Sequence, residues 1–477
     1  MKIIFVEMSC SLKKGFKEDH DSYIISEPLA LEYLSAIAEK QGHTTLVLQQ
    51  ANKSFATMLL EINTFAPEIL CCSCWSANFN QTIEMLNEIK KINPRIITII
   101  GGIHVTTDPN AIAHKCVDIA VKGEGEATFA ELLDRIENHK PLERCKGIFH
   151  KVGNQIFEEE NRERIMNIDS ISFPDRKHTN FSQYAVHALN YPPSNKQRSA
   201  LVFGSRGCKY NCEFCTNRVS WSNKVTYRTP DNIIDEIRIL KIKYNVNHIQ
   251  FADECLTSNK EWLYELCDKI HFHSLQTPIT IFGRVNEVDN EMLIYLKKAG
   301  VVAISYGVES LDSNILKTMR KGINLNHIRK AFETTINNGI LSSCLLMVGY
   351  ANEEMEVLDA INRELPTIPF TRFTLSFTYP FLGTRLRKRV DEENLWLAEK
   401  YKNPSYATIE CQVLKTKHYT DLNKFAKDLY YRIYSSENYQ ETVKKILKIN
   451  PILKESFIYF FSILEKEFNL ELQKHIE

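Results

Sequence analysis

Twice along this chain, short apolar runs of strand length alternate with amphipathic helices, and that rhythm leaves little freedom in fold. Strands separated by helices of about 10–15 residues pair in parallel through right-handed crossovers. In residues 1–140 the pattern predicts strands at Lys2–Met8, Thr44–Gln49, Glu68–Cys74, Ile96–Ile100 and Val117–Val121. Helices are expected at Leu29–Gln41, Phe55–Phe65, Asn80–Ile92 and Ala127–Asn138. The fold class is α/β, beginning with a Rossmann-like, doubly wound parallel sheet. Ligands of such sheets lie beyond the carboxyl ends of the strands. Here those ends are Ser73–Asn80, Gly101–Thr107 and Gly123–Thr128. No GxGxxG follows the first strand, which argues against a nicotinamide or flavin dinucleotide.

The second block, residues 198–389, has six expected strands: Leu201–Phe203, Asn247–Phe251, Ile279–Phe282, Val302–Ser305, Ser343–Val348 and Arg372–Phe377. With their helices they make a partial (β/α)6 barrel, whose reactive groups belong at the carboxyl ends of its strands. Residues 141–197 read as an irregular linker containing Phe173-Pro174 and Pro192-Pro193. Residues 390–477 read as a mostly helical region, in which the aromatic run Phe457–Phe461 suits helix packing better than membrane contact.

The loop after the first barrel strand holds Cys208, Cys212 and Cys215 in the spacing CxxxCxxC. Three thiolates on one compact loop can hold an iron–sulfur cluster and leave one iron open. Structural zinc is the rival, but it normally closes with four ligands, and no second CxxC or HxxxH lies nearby. Lys plus Arg equals Asp plus Glu at 59 each, so no overall field recruits nucleic acid or an anionic membrane. No apolar run reaches the ~18–20 residues of a membrane span. The opening residues are too short and interrupted for a signal peptide. The 13 cysteines are therefore expected reduced, in the cytoplasm.

The cysteine run, with the aromatic Phe214 before its last member, resembles the radical S-adenosylmethionine (SAM) enzymes. The resemblance implies a [4Fe–4S] cluster on Cys208, Cys212 and Cys215, SAM chelated on the open iron, and Phe214 near the adenine. It also implies roles for strand-end residues. Asp253 and Glu254 stand where the family contacts the SAM amino group, and Arg284 is placed to pair with the carboxylate. Glu309-Ser310 match a Gly-x-Glu-Ser segment that bonds the ribose. Gly349 matches a Gly-x-Pro adenine turn, although the chain reads Gly-Tyr-Ala and lacks the proline. Pro380 and Gly383-Thr384 match a Pro-x-x-Gly-Thr segment lining the pocket. Cys255 and Cys344 lie near barrel strands and are expected to be inert buried thiols.

The first block resembles the cobalamin-binding domain fused to many radical SAM enzymes. The resemblance rests on Ser26-Glu-Pro-Leu-Ala-Leu-Glu-Tyr-Leu, Gly101-Gly-Ile-His-Val-Thr and Val121-Lys-Gly-Glu-Gly-Glu-Ala-Thr-Phe. It implies cobalamin contacts from Ser73, Trp75, Gly101, Gly102, His104, Gly123 and Glu124, with glycines allowing a corrin ring close. The DxHxxG of cobalamin mutases is absent and His20 lacks its spacing, so no histidine from such a motif is expected below cobalt. The activity implied is methylation of an unactivated carbon of a small-molecule or peptide substrate, through a 5′-deoxyadenosyl radical and methylcobalamin. The reductant would be a flavodoxin or ferredoxin. Cyclisation or rearrangement with the same cofactors is the alternative, and a non-catalytic metal- or cobalamin-binding regulator a third.

Overall fold

The computed structural model describes residues 1–9, 26–51, 53–153, 155–187, 197–221, 223–403 and 411–468. His20 and Pro192-Pro193 lie outside them.

The first sheet contains β1 (Lys2–Glu7), β2 (Thr44–Gln49), β3 (Ile69–Ser73), β4 (Ile97–Gly101) and β5 (Ile119–Val121), all parallel. Its order, 2-1-3-4-5, reverses winding direction between β1 and β3 and so opens a crevice at their carboxyl ends. Ile3–Val6 are wholly buried, as helices on both faces require of a central parallel strand. Two further strands extend this sheet: β6 (Ile148–Val152) pairs antiparallel with β5, and β7 (Gln155–Glu158) antiparallel with β6. They correct the irregular linker expected across residues 141–197. These strands are only five and four residues long, too short for a clear alternation.

The second sheet is built from β8 (Ser199–Val202), β11 (His248–Phe251), β12 (Ile279–Gly283), β13 (Val301–Glu309), β14 (Leu341–Val348) and β15 (Arg372–Phe377). They lie parallel and in chain order, and β15 does not pair with β8, so the barrel is open. A two-residue ladder of β9 (Ser205–Arg206) with β10 (Thr226–Tyr227) brackets the cysteine loop.

Unpaired edge strands invite misassembly unless covered, and side chains from elsewhere in the chain meet both open edges here. On β15, Phe373 N and Leu375 N donate to the hydroxyls of Tyr434 and Tyr430 at 3.2 and 3.1 Å. The Tyr439 hydroxyl donates to Thr371 O at 2.9 Å. These tyrosines sit on helices Leu422–Tyr434 and Glu437–Ile449, and a third helix, Lys454–Phe468, buries Phe457 and Phe461. The C-terminal aromatics therefore seal the barrel, as expected of helix packing.

On β8, Leu201 N donates to Glu27, and Leu201 O accepts from Arg176 Nη2 at 2.6 Å. Arg176 also pairs with Glu27 and, at 2.7 Å, with Glu236, which pairs in turn with Arg228. All five side chains of this network, Glu32 included, are buried. The Ser-Glu-Pro-Leu-Ala-Leu-Glu-Tyr-Leu segment thus works as an inter-sheet joint through Glu27 and Glu32. No helix among the described residues is long and apolar enough to cross a membrane.

Candidate active site

The cysteine loop leaves β9 at the carboxyl end of the open barrel. Cys208, Cys212 and Cys215 are free and half-buried. Burial pushes the Cys215 thiol up to about 11, so its thiolate form needs a cation beside it. Among the described residues no three His, Cys, Asp or Glu side chains are gathered closely enough to hold one metal ion. Three thiols carried on one short loop suit a cluster of several irons.

Side chains hold this loop from two sides. Glu213, between Cys212 and Phe214, accepts from Arg389 Nε at 2.9 Å and from the Tyr350 hydroxyl at 2.5 Å. On the other side the Tyr210 hydroxyl donates to Glu287 at 2.7 Å, and Arg284 lies 3.5 Å over the Tyr210 ring. Arg284 Nη1 approaches Cys212 Sγ at 3.8 Å, while its Nη2 donates to Lys321 O. Glu287 also accepts from Cys255 Sγ at 3.1 Å, so the buried Cys255 thiol is tied into the scaffold.

Several expected site residues converge here. Glu254 keeps an exposed edge, yet surrounding protein raises its carboxyl pKa, the environment of an acid lining a cleft. Glu309 ends β13 with φ +68, a strained conformation for a residue with a side chain, and pairs with Lys321 at 2.9 Å. Lys321 Nζ in turn stands 5.9 Å from the Phe214 ring, which packs among Tyr350 and Tyr379.

Others are placed differently. Asp253 is buried and spends its oxygens on Gly204 N and Ser205 Oγ at 2.9 and 2.6 Å, bracing the turn ahead of the cysteines. Ser310 is wholly buried, its hydroxyl accepting from Asp312 N. Gly349 has φ +70 and lies under Leu422 and Gln412 of the C-terminal region. Its turn is held by the buried Glu353, which accepts from Gly349 N and Tyr350 N at 3.1 and 3.2 Å and meets His418 at 3.2 Å. That carboxylate supplies rigidity which the expected proline would have given. Gly383 approaches Val219, so the Pro-x-x-Gly-Thr segment touches the helix Asn217–Trp221 that follows Cys215.

At the first sheet, Ser73 and Trp75 lie at the carboxyl end of β3, Gly101 at that of β4 and Gly123 just past that of β5. A side chain at Gly123 would meet open space, whereas one at Gly102 would strike the Cys74 backbone carbonyl at 2.7 Å. Strand-end packing against Cys74 therefore requires glycine at position 102. His104 is buried, 4.0 Å from the Phe79 ring and 3.1 Å from Ser76 Oγ, with burial lowering its pKa to about 4. Glu124 accepts from Ile165 N and from Arg206 Nη1 at 2.7 and 2.9 Å, and Arg206 Nη2 donates to Glu126. The loop after β5 is thus pinned to the strand leading into Cys208. The helix Ile103–Thr107, after β4, packs against Asn217–Trp221. Elements at the carboxyl ends of the two sheets are therefore in contact.

Glu213, Glu287, Lys321, Glu353 and Arg206 were not singled out from sequence. Arg206 and Glu213 stand within the cysteine run itself, but a charged residue there carries no mark of what it will meet.

Residues 22–133 match the B12 binding domain model and residues 202–364 the Radical SAM superfamily model. The uncharacterized methyltransferase PH0819 of Pyrococcus horikoshii is 26% identical over 414 residues, covering 85% of this chain and 87% of that protein. The anaerobic magnesium-protoporphyrin IX monomethyl ester cyclase of Rubrivivax gelatinosus is 26% identical over 343 residues, 70% of this chain and 60% of its own length. In fold, the chain resembles the cobalamin-dependent S-adenosylmethionine radical enzyme OxsB with aqua-cobalamin bound, with TM-score 0.69 and 15% identity over 99% of this chain and 78% of that one. With both domain models matched in order and the fold in agreement, the chain belongs to the radical SAM enzymes that carry a cobalamin-binding domain.

Proposed function

We propose that this enzyme methylates an unactivated carbon of a small-molecule or peptide substrate, using cobalamin, a [4Fe–4S] cluster and SAM. The observation that carries this reading is the contact between the two sheets' carboxyl ends. Arg206 joins the Gly123–Glu126 loop to the strand two residues ahead of Cys208. When bound, the cofactors supply a deoxyadenosyl radical and a transferable methyl group; the chain's own task is to hold, orient and shield.

Cys208, Cys212 and Cys215 would hold the cluster. Glu254 would accept the SAM ammonium, and Arg284 would face its carboxylate. The Glu309–Lys321 pair would meet the ribose, and Phe214 with the Gly349 turn would flank the adenine. Ser73, Trp75, Gly101 and Gly123 would line the corrin face. His104, enclosed against Phe79 and Ser76, would help to shape the wall of that face. A low-potential reductant and a cytoplasmic setting complete the reading.

The relatives favour methyl transfer over cyclisation, since the methyltransferase is spanned at 87% of its length and the cyclase at 60%. Supplying SAM with a deuterated methyl group tests this. Product carrying the labelled methyl supports methylation; loss of hydrogen without label would assign the chain to cyclisation or rearrangement instead.

A further inference from the structure

We propose that the outer face of the cysteine loop is a docking surface for an acidic one-electron carrier protein, received by Arg218, Arg320 and Arg385. The proposal rests on the functional reading above, which needs an electron delivered to this loop.

The three arginines are fixed to the loop through its backbone and neighbours. Arg320 follows Met319, whose carbonyl accepts from Glu213 N at 2.9 Å. Arg385 precedes Leu386, whose N–H donates to Glu213 O at 3.0 Å. Arg218 rides on the helix after Cys215 and donates to Asn211 Oδ1 at 2.7 Å. Two arginines thus flank the residue between Cys212 and Phe214, and the third braces the residue before Cys212.

None of the three has an ion-pair partner among the described residues. Surface cations elsewhere on the barrel do, as in Lys269–Asp231 and Lys298–Asp268. Arg218 and Arg320 are exposed, whereas Arg385 is half-buried and its Nη1 is enclosed without a hydrogen-bond partner. Partial burial, then the charges of Arg320 and Arg218, lower the pKa of Arg385. The nearby acid, Glu213, is already engaged by Arg389 and Tyr350.

An uncompensated basic field on an open surface attracts an acidic surface and speeds its encounter. The guanidinium groups of Arg218 and Arg320 face solvent, the arrangement for a broad acidic face, where a small anion would ask for a closed pocket. The transfer balances simply: the carrier loses one electron, the cluster gains one, and no bond or proton moves.

The test uses reduced flavodoxin with the reconstituted enzyme and the variant R218E/R320E, whose sites are exposed and tolerant of change. Flavodoxin affinity is measured at low and at about 0.15 M ionic strength, alongside cluster reduction by flavodoxin and by dithionite. We expect wild-type binding to weaken with salt. The variant should lose about tenfold or more in affinity and in flavodoxin-driven reduction, while dithionite reduces it at the wild-type rate. Unchanged flavodoxin binding would overturn the proposal. Equal loss with dithionite would also overturn it, assigning the arginines to loop stability, as would saturable competition by millimolar inorganic phosphate. Wild-type enzyme that cleaves SAM with dithionite but takes no electron from flavodoxin would defeat docking alone. Failure with both reductants would defeat the functional reading.

Discussion

Single residues in this chain carry opposite meanings at neighbouring glycines. Gly102 has φ +100 and no room for a Cβ beside Cys74, while Gly123 has φ +74 and open space around it. Gly102→Ala should therefore lower the unfolding temperature of the cobalamin-free protein, by more than the ~1 kcal/mol of an ordinary glycine effect. Gly123→Ala should cost only its backbone strain, about 1–3 kcal/mol or less. Thermal scans of the two variants check this, and equal destabilisation would contradict it. Glu7, at the end of β1, is the other revealing residue. Burial raises its pKa from 4.5 to about 7 against hydrogen bonds from Gln49 and Trp75. A raised carboxyl binds its proton more tightly when folded, so its stabilising contribution is complete below pH ~4.5 and is lost as pH climbs through 7. Glu7→Gln should remove that slope, a difference on the order of 3 kcal/mol between pH 4 and 8. Parallel denaturant titrations of cobalamin-free protein would read it; identical pH slopes would refute it. The cluster cysteines were legible in the sequence because spacing alone defines a loop of thiols. Asp253 and Ser310 were not, because sequence cannot say whether a strand-end polar group faces a cleft or folds back onto its own turn.

Among elements, the parallel strands and their helices were legible because central strands such as Ile3–Val6 are unbroken apolar runs. Arg372–Phe377 and Phe55–Phe65 fall at the expected residues. The pair β6 and β7 was not legible, since it leans on β5 for its hydrogen bonds and little of it is buried beyond Ile148–His150. The turn after β14 shows a different kind of compensation. Its expected proline is replaced by Ala351, and Glu353, backed by His418 from the C-terminal region, ties the turn by two backbone hydrogen bonds. Hydrogen bonds to a charged group contribute about 1.5–3 kcal/mol. Glu353→Ala should weaken SAM binding roughly ten- to a hundredfold while leaving the iron content intact. Isothermal titration with SAM decides it, and an unchanged dissociation constant would mean the turn does not shape the nucleoside site. Arg284→Ala should act more broadly. Besides facing the SAM carboxylate, Arg284 stacks on Tyr210 beside Cys208, so its loss should alter the cluster's EPR signal as well as SAM affinity. An unperturbed signal would separate the two roles.

At the scale of the whole molecule, the fold class was legible but the joint between the sheets was not, because it depends on charges far apart in sequence. Arg176 meets Glu27, 149 positions away, and Glu236, 60 positions away, inside a buried interface. Removing one member leaves buried charge unpaired, at a cost of about 3–5 kcal/mol. Arg176→Met should lower the calorimetric unfolding temperature and loosen the first sheet from β8, seen as faster amide exchange at Leu201; wild-type behaviour in both would contradict the joint. The same geometry gives the C-terminal region its purpose, since Tyr430, Tyr434 and Tyr439 close the edge opposite that joint. Both edges of the barrel sheet are thus met by the rest of the chain, while its carboxyl ends meet those of the first sheet. The proposed coupling of SAM cleavage to methyl transfer takes place where these carboxyl ends meet. Its most direct test is anaerobic incubation of the cobalamin- and cluster-reconstituted enzyme with SAM, a reductant and a substrate it accepts, followed by quantitation of SAM-derived products. S-adenosylhomocysteine and 5′-deoxyadenosine should form together, and replacing Cys208, Cys212 and Cys215 by alanine should abolish 5′-deoxyadenosine. Turnover that yields S-adenosylhomocysteine with no 5′-deoxyadenosine, or 5′-deoxyadenosine that persists in the triple variant, would contradict it.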